Sequence, residues 1–272
     1  MIRRGAITDF GGWSLRLFLI AVVCLTSSTA LAGTDPLHDL LELTSQRVSA
    51  LVEQFSEVKC TEQVTQEKIK DNGKVELKQD STYDYLVILT NAGGELSLDE
   101  SRLPVHQSKL ENNKNLPLLV SNGFATLFLV FHPYYADGFK FTAAGNEVIS
   151  GQSLAKVNFQ HIRGMRSPAA LALRGREFPM ELSGTAWIDP ATGNIAKISA
   201  GVEDTLQDVG IRALRSEVIF AAVPFRDMKE IYWFPTNAAV EVETPRQHWR
   251  NTHRFTDYKR FSVSTEEKVA EK

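Results

Sequence analysis

Apolar positions along this chain change period several times, and the changes mark its elements. Arg3, Arg4 and Arg16 precede an apolar run from Leu17 to Leu25, and small and polar residues then end in Ala30-Leu31-Ala32. A charged start, a short apolar run and a small-x-small end follow the order of a secretory signal peptide. The run is shorter than the roughly 20 apolar residues a membrane-spanning helix needs. The pattern predicts export, with residues 1–32 cleaved near Ala32 and no permanent transmembrane segment. Val22-Val23 before Cys24 argue against acylation of that cysteine, and Arg3-Arg4 lies too far from the run for a twin-arginine signal.

Period 3.6 follows. Leu37, Leu40, Leu41, Val48, Leu51, Val52 and Phe55 recur at helical spacing, with Asp35 as cap and Pro36 in the first turn, which predicts one amphipathic helix over 35–55. After Phe55 the texture becomes β-branched and alternating. Residues 58–66 and 75–89 around Asp71-Asn72-Gly73 predict a long hairpin. Asn91-Ala92-Gly93-Gly94 predicts the next turn, and Glu95–Leu98 a third strand. Residues 106–117 are polar and predict a mobile loop. Leu118 to Phe131 is apolar and long enough for a buried helix, which His132-Pro133 would end.

From Phe139 onward short strands alternate with turns. They are expected at 139–142, 155–162, 184–188, 195–199, 216–220, 231–234, 239–242 and 255–258. Asp189–Asn194 is a turn between two of them. Many short strands with regular turns point to an antiparallel sheet or an open barrel. Residues 265–272 are polar and predict a disordered tail.

Composition narrows the function classes. The chain is 43% apolar and 23% charged, an ordinary globular balance. Removing the leader takes away three arginines and one aspartate, which moves the formal charge from −3 to −5 and leaves no basic stripe for a nucleic-acid partner. One cysteine remains, Cys60, and reads as a small buried apolar residue. Gly151-Gln152-Ser153-Leu154-Ala155 loosely mimics a nucleophile elbow, but it leads into a strand rather than a helix. His38, His106, His132, His161, His248 and His253 have no metal-ligand spacing, and five residues apart on a strand His248 and His253 face opposite sides. Asp99-Glu100 and Glu266-Glu267 read as solvated surface. No catalytic residue, metal site or cofactor is predicted. Phe124, Phe128, Phe131, Tyr134, Tyr135, Trp187, Trp233 and Phe234 are candidate walls of an apolar cavity.

Gly184-Thr185-Ala186-Trp187-Ile188-Asp189-Pro190-Ala191-Thr192-Gly193-Asn194-Ile195-Ala196-Lys197-Ile198 resembles the central hairpin of the LolA/LolB/RseB-like periplasmic superfamily. Its members carry outer-membrane lipoproteins or act as envelope sensors. The strand at Val157-Asn158-Phe159 and the stretch Trp249–Tyr258 fit the same layout. The resemblance implies a single α+β domain over residues 33–264: a curved antiparallel sheet, or open half-barrel, with helices on its concave face. The chain carries extra material around 106–135 and 163–183. The carriers' cavity-gating arginine has no clear counterpart; Arg102 lies at about the same stage of the chain and receives no such role. The leading expectation is a non-enzymatic exported protein that binds an apolar ligand (acyl chain, lipid or lipoprotein) in a half-barrel cavity. An envelope sensor or protein-interaction module and an uncharacterised hydrolase are the alternatives.

Overall fold

Asp35 starts the first element. Its carboxylate accepts from the Leu37 amide at 3.1 Å and caps α1 (Pro36–Phe55), whose buried residues include Val48, Leu51, Val52 and Phe55. In this computed structural model the described residues are 35–55, 58–92, 95–105, 124–173, 176–203, 206, 210–225 and 231–260, all within the compact unit Asp35–Lys272. The leader, the 106–117 stretch, residues 118–123 and the tail lie outside them.

The strands after α1 are β1 (Val58–Ile69), β2 (Val75–Ala92), β3 (Glu95–Pro104), β4 (Phe139–Ile149), β5 (Gln152–His161), β6 (Ala170–Leu173), β7 (Arg176–Pro179), β8 (Ser183–Ile188), β9 (Ile195–Glu203), β10 (Ala213–Pro224), β11 (Ile231–Glu243) and β12 (His248–Arg260). Ten of them form one antiparallel sheet in the order β3-β2-β1-β12-β11-β10-β9-β8-β5-β4. Its two edge strands, β3 and β4, are not paired with each other, so the sheet is open. One face carries the buried set, for example Leu214, Ser216, Val218 and Phe220 alternating along β10. That face wraps α1 and a 3-10 helix, Phe124–Phe131. Phe128 meets Phe55 and Phe220 there, and Phe131 meets Phe141 and Phe159. This is the expected α+β half-barrel with helical elements on the concave face.

Three local expectations change. The described end of the apolar segment 118–131 is a 3-10 helix rather than an α-helix. That helix ends at Phe131, just before His132-Pro133 as expected, and His132 Nδ1 then accepts from the Tyr134 amide at 3.1 Å and caps a separate short α2 (Pro133–Ala136). Residues 231–234 and 239–242 belong to one strand, β11, because the register shift between Ile219 and Phe220 accommodates Pro235 at a bulge without ending the ladder. The early turn at Asn91–Gly94 is also shorter than expected, since β2 continues to Ala92.

The turn between β8 and β9 seats α1. Gly193 has φ +73, and a Cβ there would lie 2.9 Å from the Leu43 carbonyl carbon. Only glycine permits both the backbone conformation and the close approach. Arg47 of α1 donates to the Thr192 carbonyl at 2.9 Å.

Candidate functional site

A cavity of about 340 Å³ lies between α1 and strands β9–β11. Val48 and Leu51 of α1, Phe128 of the 3-10 helix, Ile195, Phe220 and Trp233 supply its apolar lining. Helical period and strand alternation deliver these side chains to one place from five elements. The Trp233 indole is oriented by donating to the Ile195 carbonyl at 2.6 Å. Arg47, Gln54, Thr192 and Asn194 are its polar lining, and Ile231, 70% exposed, also lines it. The volume is within the range of small-ligand sites, which are concave and mostly apolar with few polar anchors.

Next to it the sheet parts. β11 pairs with β12 only from Asn237 to Glu243, so residues 231–235 pair with β10 alone, while β12 beyond Arg254 pairs with β1. A cleft of about 950 Å³ lies where they part, lined by Ala222–Phe225 and Phe255–Arg260. Tyr258 bridges the gap by donating to the Pro235 carbonyl at 2.6 Å. Its ring stacks on Phe234, and Phe234 stacks on Tyr232, at 5.0 and 5.9 Å between centroids.

The same concave face carries a buried ionic cluster on β1, β2, β3 and β12. Arg102 donates to both oxygens of Glu62, from Nε at 2.6 Å and from Nη2 at 3.1 Å, and to Glu100 from Nη1 at 3.0 Å. His253 Nδ1 lies 2.8 Å from Glu62 Oε1, and the Arg102 guanidinium lies over the Tyr85 ring at 4.9 Å. Burial pushes the Glu62 carboxyl up, but hydrogen bonds from His253 and Arg102, with their charges, outweigh it and hold the carboxyl below its ordinary value. For Arg102 burial acts to lower the pKa, and the bonds and charges of Glu62 and Glu100 raise it instead. Both Glu62 oxygens are engaged and the side chain is fully buried, so the cluster ties strands together rather than presenting a base to substrate. Glu100 is the correction here: its side chain is 2% exposed and paired, not solvated surface. The readable signal was Glu62 at an inward position between Cys60 and Val64, with His253 likewise between Asn251 and Phe255.

Of the eight expected wall residues, Phe128 and Trp233 line the cavity. Phe131 and Phe234 are buried in the surrounding core. Tyr134 and Tyr135 are half-buried on α2, where Tyr135 Oη donates to the Leu96 carbonyl at 3.1 Å. Trp187 projects from the opposite face of the sheet, because Ala186 and Ile188 on either side of it point inward. There Lys197 and Lys156 lie over its ring at 4.5 and 5.6 Å. The side chain of Phe124 is outside the described residues. Among the described residues no group of His, Cys, Asp and Glu has the geometry to hold a metal ion, and no helix is long and apolar enough to cross a membrane.

An open antiparallel half-barrel wrapped around a helix is the architecture that the resemblance of the hairpin at Trp187-Ile188-Asp189 implied. No protein-family model matches the chain, and no curated protein matches it. Among solved structures, it is similar to a DUF1329 family protein from Desulfovibrio piger, at 13% identity over 88% of this chain and 98% of that one, with a TM-score of 0.44. A putative outer membrane lipoprotein-sorting protein domain from Vibrio parahaemolyticus aligns at 14% identity, over 84% and 94% of the two chains, with a TM-score of 0.40. A LolA superfamily protein from Nitrosomonas europaea aligns at 13% identity, over 81% and 94%, with a TM-score of 0.38. At these scores the resemblance carries no argument about function, which rests on this chain's own geometry.

Proposed function

We propose that this protein is an exported, non-enzymatic binder of an apolar ligand, with an acyl chain as the occupant of the cavity beside α1. The observation that carries the reading is the cavity itself: about 340 Å³ lined by Val48, Leu51, Phe128, Ile195, Phe220 and Trp233. Each methylene taken out of water there contributes about 0.8 kcal/mol, so a chain of several carbons is held without covalent chemistry. The parted strands β11 and β12 offer the adjoining cleft as a place for the remainder of a lipid. Lipoprotein transport is the sharpest form of this reading.

The test is native mass spectrometry of the protein recovered from the periplasm of a Gram-negative host, followed by lipid extraction. A bound mass that yields phospholipid or acylated peptide, and that is lost in Ala50→Phe at the cavity wall, supports the reading. A clean apo mass, with no uptake of added lipid and no shift in Tm, overturns it. A protein-interaction module then leads, favoured by Ile88 on β2 and Leu103 on the edge strand β3, which are exposed on the outer face, and by exposed Val105 just past β3.

A further inference from the structure

Between β5 and β8 the chain leaves the main sheet. Gln160 pairs with Ser183, so the two strands are neighbours and residues 161–182 form an excursion. Its base is anchored: His161 N donates to the Leu182 carbonyl at 2.8 Å, Ile162 N to Gly138 at 2.8 Å, and Met180 N to Ala169 at 2.9 Å. Gly164, at φ +84, closes a tight turn, and β6 and β7 beyond it pair only with each other.

Two features set this excursion apart. Residues 162–181 hold four arginines against two glutamates, a formal +2 in a chain whose total is −3. The turn also exposes apolar bulk: Ile162 is 45% and Met165 44% exposed. Arg163 beside them is 86% exposed and reaches Glu181 at 2.9 Å, and Arg166 lies over the Tyr134 ring at 4.6 Å. Apolar and cationic residues are therefore interleaved along Ile162-Arg163-Gly164-Met165-Arg166, as two apolar–arginine pairs joined by Gly164. A protein interface would separate an apolar centre from a polar rim. Fine alternation instead suits shallow entry into a lipid headgroup layer, where apolar side chains sink and arginines pair with phosphate at the same depth.

We infer that the turn Ile162–Arg166 docks this protein on an anionic lipid surface. Ile162 and Met165 enter the headgroup layer, and Arg163 exchanges its exposed contact with Glu181, which contributes little in water, for lipid phosphate there. The inference does not depend on the cavity being occupied.

The experiment is co-sedimentation of the periplasmically recovered protein with vesicles of phosphatidylethanolamine and phosphatidylglycerol, against vesicles of phosphatidylcholine alone. Binding is expected to the anionic vesicles only, and to weaken in high salt. Arg163→Glu is expected to reduce it about tenfold, since each basic residue near an anionic surface contributes on that order. The pair Ile162→Asn and Met165→Asn is expected to reduce it at least as far. Lys74→Glu, in the exposed turn between β1 and β2, makes the same charge change elsewhere and is expected to leave binding within about twofold. Circular dichroism of each variant confirms an unchanged fold. Absence of binding by the unaltered protein overturns the inference and favours an acidic protein partner. Retained binding in either turn variant, or an equal loss in Lys74→Glu, also overturns it.

Discussion

Glu62 is the residue on which the N-terminal end of the sheet turns. It sits on β1, receives Arg102 from across β2 and His253 from β12, and is fully buried. Removing one partner of such a cluster leaves a charge buried without compensation, so Arg102→Ala is expected to cost about 3–5 kcal/mol in urea unfolding. Lys59→Ala, which breaks an exposed contact to Asp84 at 3.6 Å, is expected to cost under about 1 kcal/mol. The folded-state pKa of Glu62 is lowered from 4.5, so its stabilisation is complete above that value and is lost as pH falls through the lower folded value. Stability of the unaltered protein should therefore drop below about pH 4.5, and Glu62→Gln should flatten that part of the profile. An unchanged slope in the variant would remove Glu62 from the account. Cys60, two residues away on the same face, is 4% exposed, and burial together with the Glu62 charge pushes its thiol up to about 12. That agrees with the plain reading of Cys60 as a buried apolar residue.

At the scale of elements, the hairpin that carries the family resemblance also positions the helix that walls the cavity. The Gly193 turn admits Leu43 of α1 against its backbone, and Thr192 accepts from Arg47. Gly193→Ala should therefore lose stability twice, through the positive φ and through the collision with α1. Gly73→Ala, at φ +77 in the β1–β2 turn with open space around it, should lose only about 1–2 kcal/mol for the backbone strain. Thermal unfolding of both variants checks this, and equal losses would mean that the α1 contact is unimportant. The helix over 35–55, the long hairpin and the Asp189–Asn194 turn were legible because their signals are local: caps, period and turn residues. The β6–β7 hairpin was not, since four-residue strands carry too few positions for a period. The continuity of β11 was not either, because Pro235 reads as a breaker until the bulge opposite it is known.

For the molecule as a whole, the pairing of β1 with β12 matters most. It joins Val58–Ile69 to His248–Arg260 along nearly their full lengths and makes one sheet of the first and last strands of the described chain. Trp249 on β12 and Trp187 on β8 should consequently report the same transition as far-ultraviolet circular dichroism in urea. Two separated midpoints would show that the β1–β3 block unfolds on its own. Alternation along each strand, helical period in α1 and turn chemistry are properties of neighbouring residues, so the sequence by itself determined an open antiparallel sheet, the helix over 35–55, the long hairpin and the Asp189–Asn194 turn. It did not determine which inward residues meet. Strand order sets whether Glu62 finds Arg102 and His253. Backbone bulges set where β11 and β12 part, and Trp187 faces outward because its neighbours Ala186 and Ile188 face in. Contacts between residues far apart in sequence depend on register and topology, and only the tertiary structure decided those.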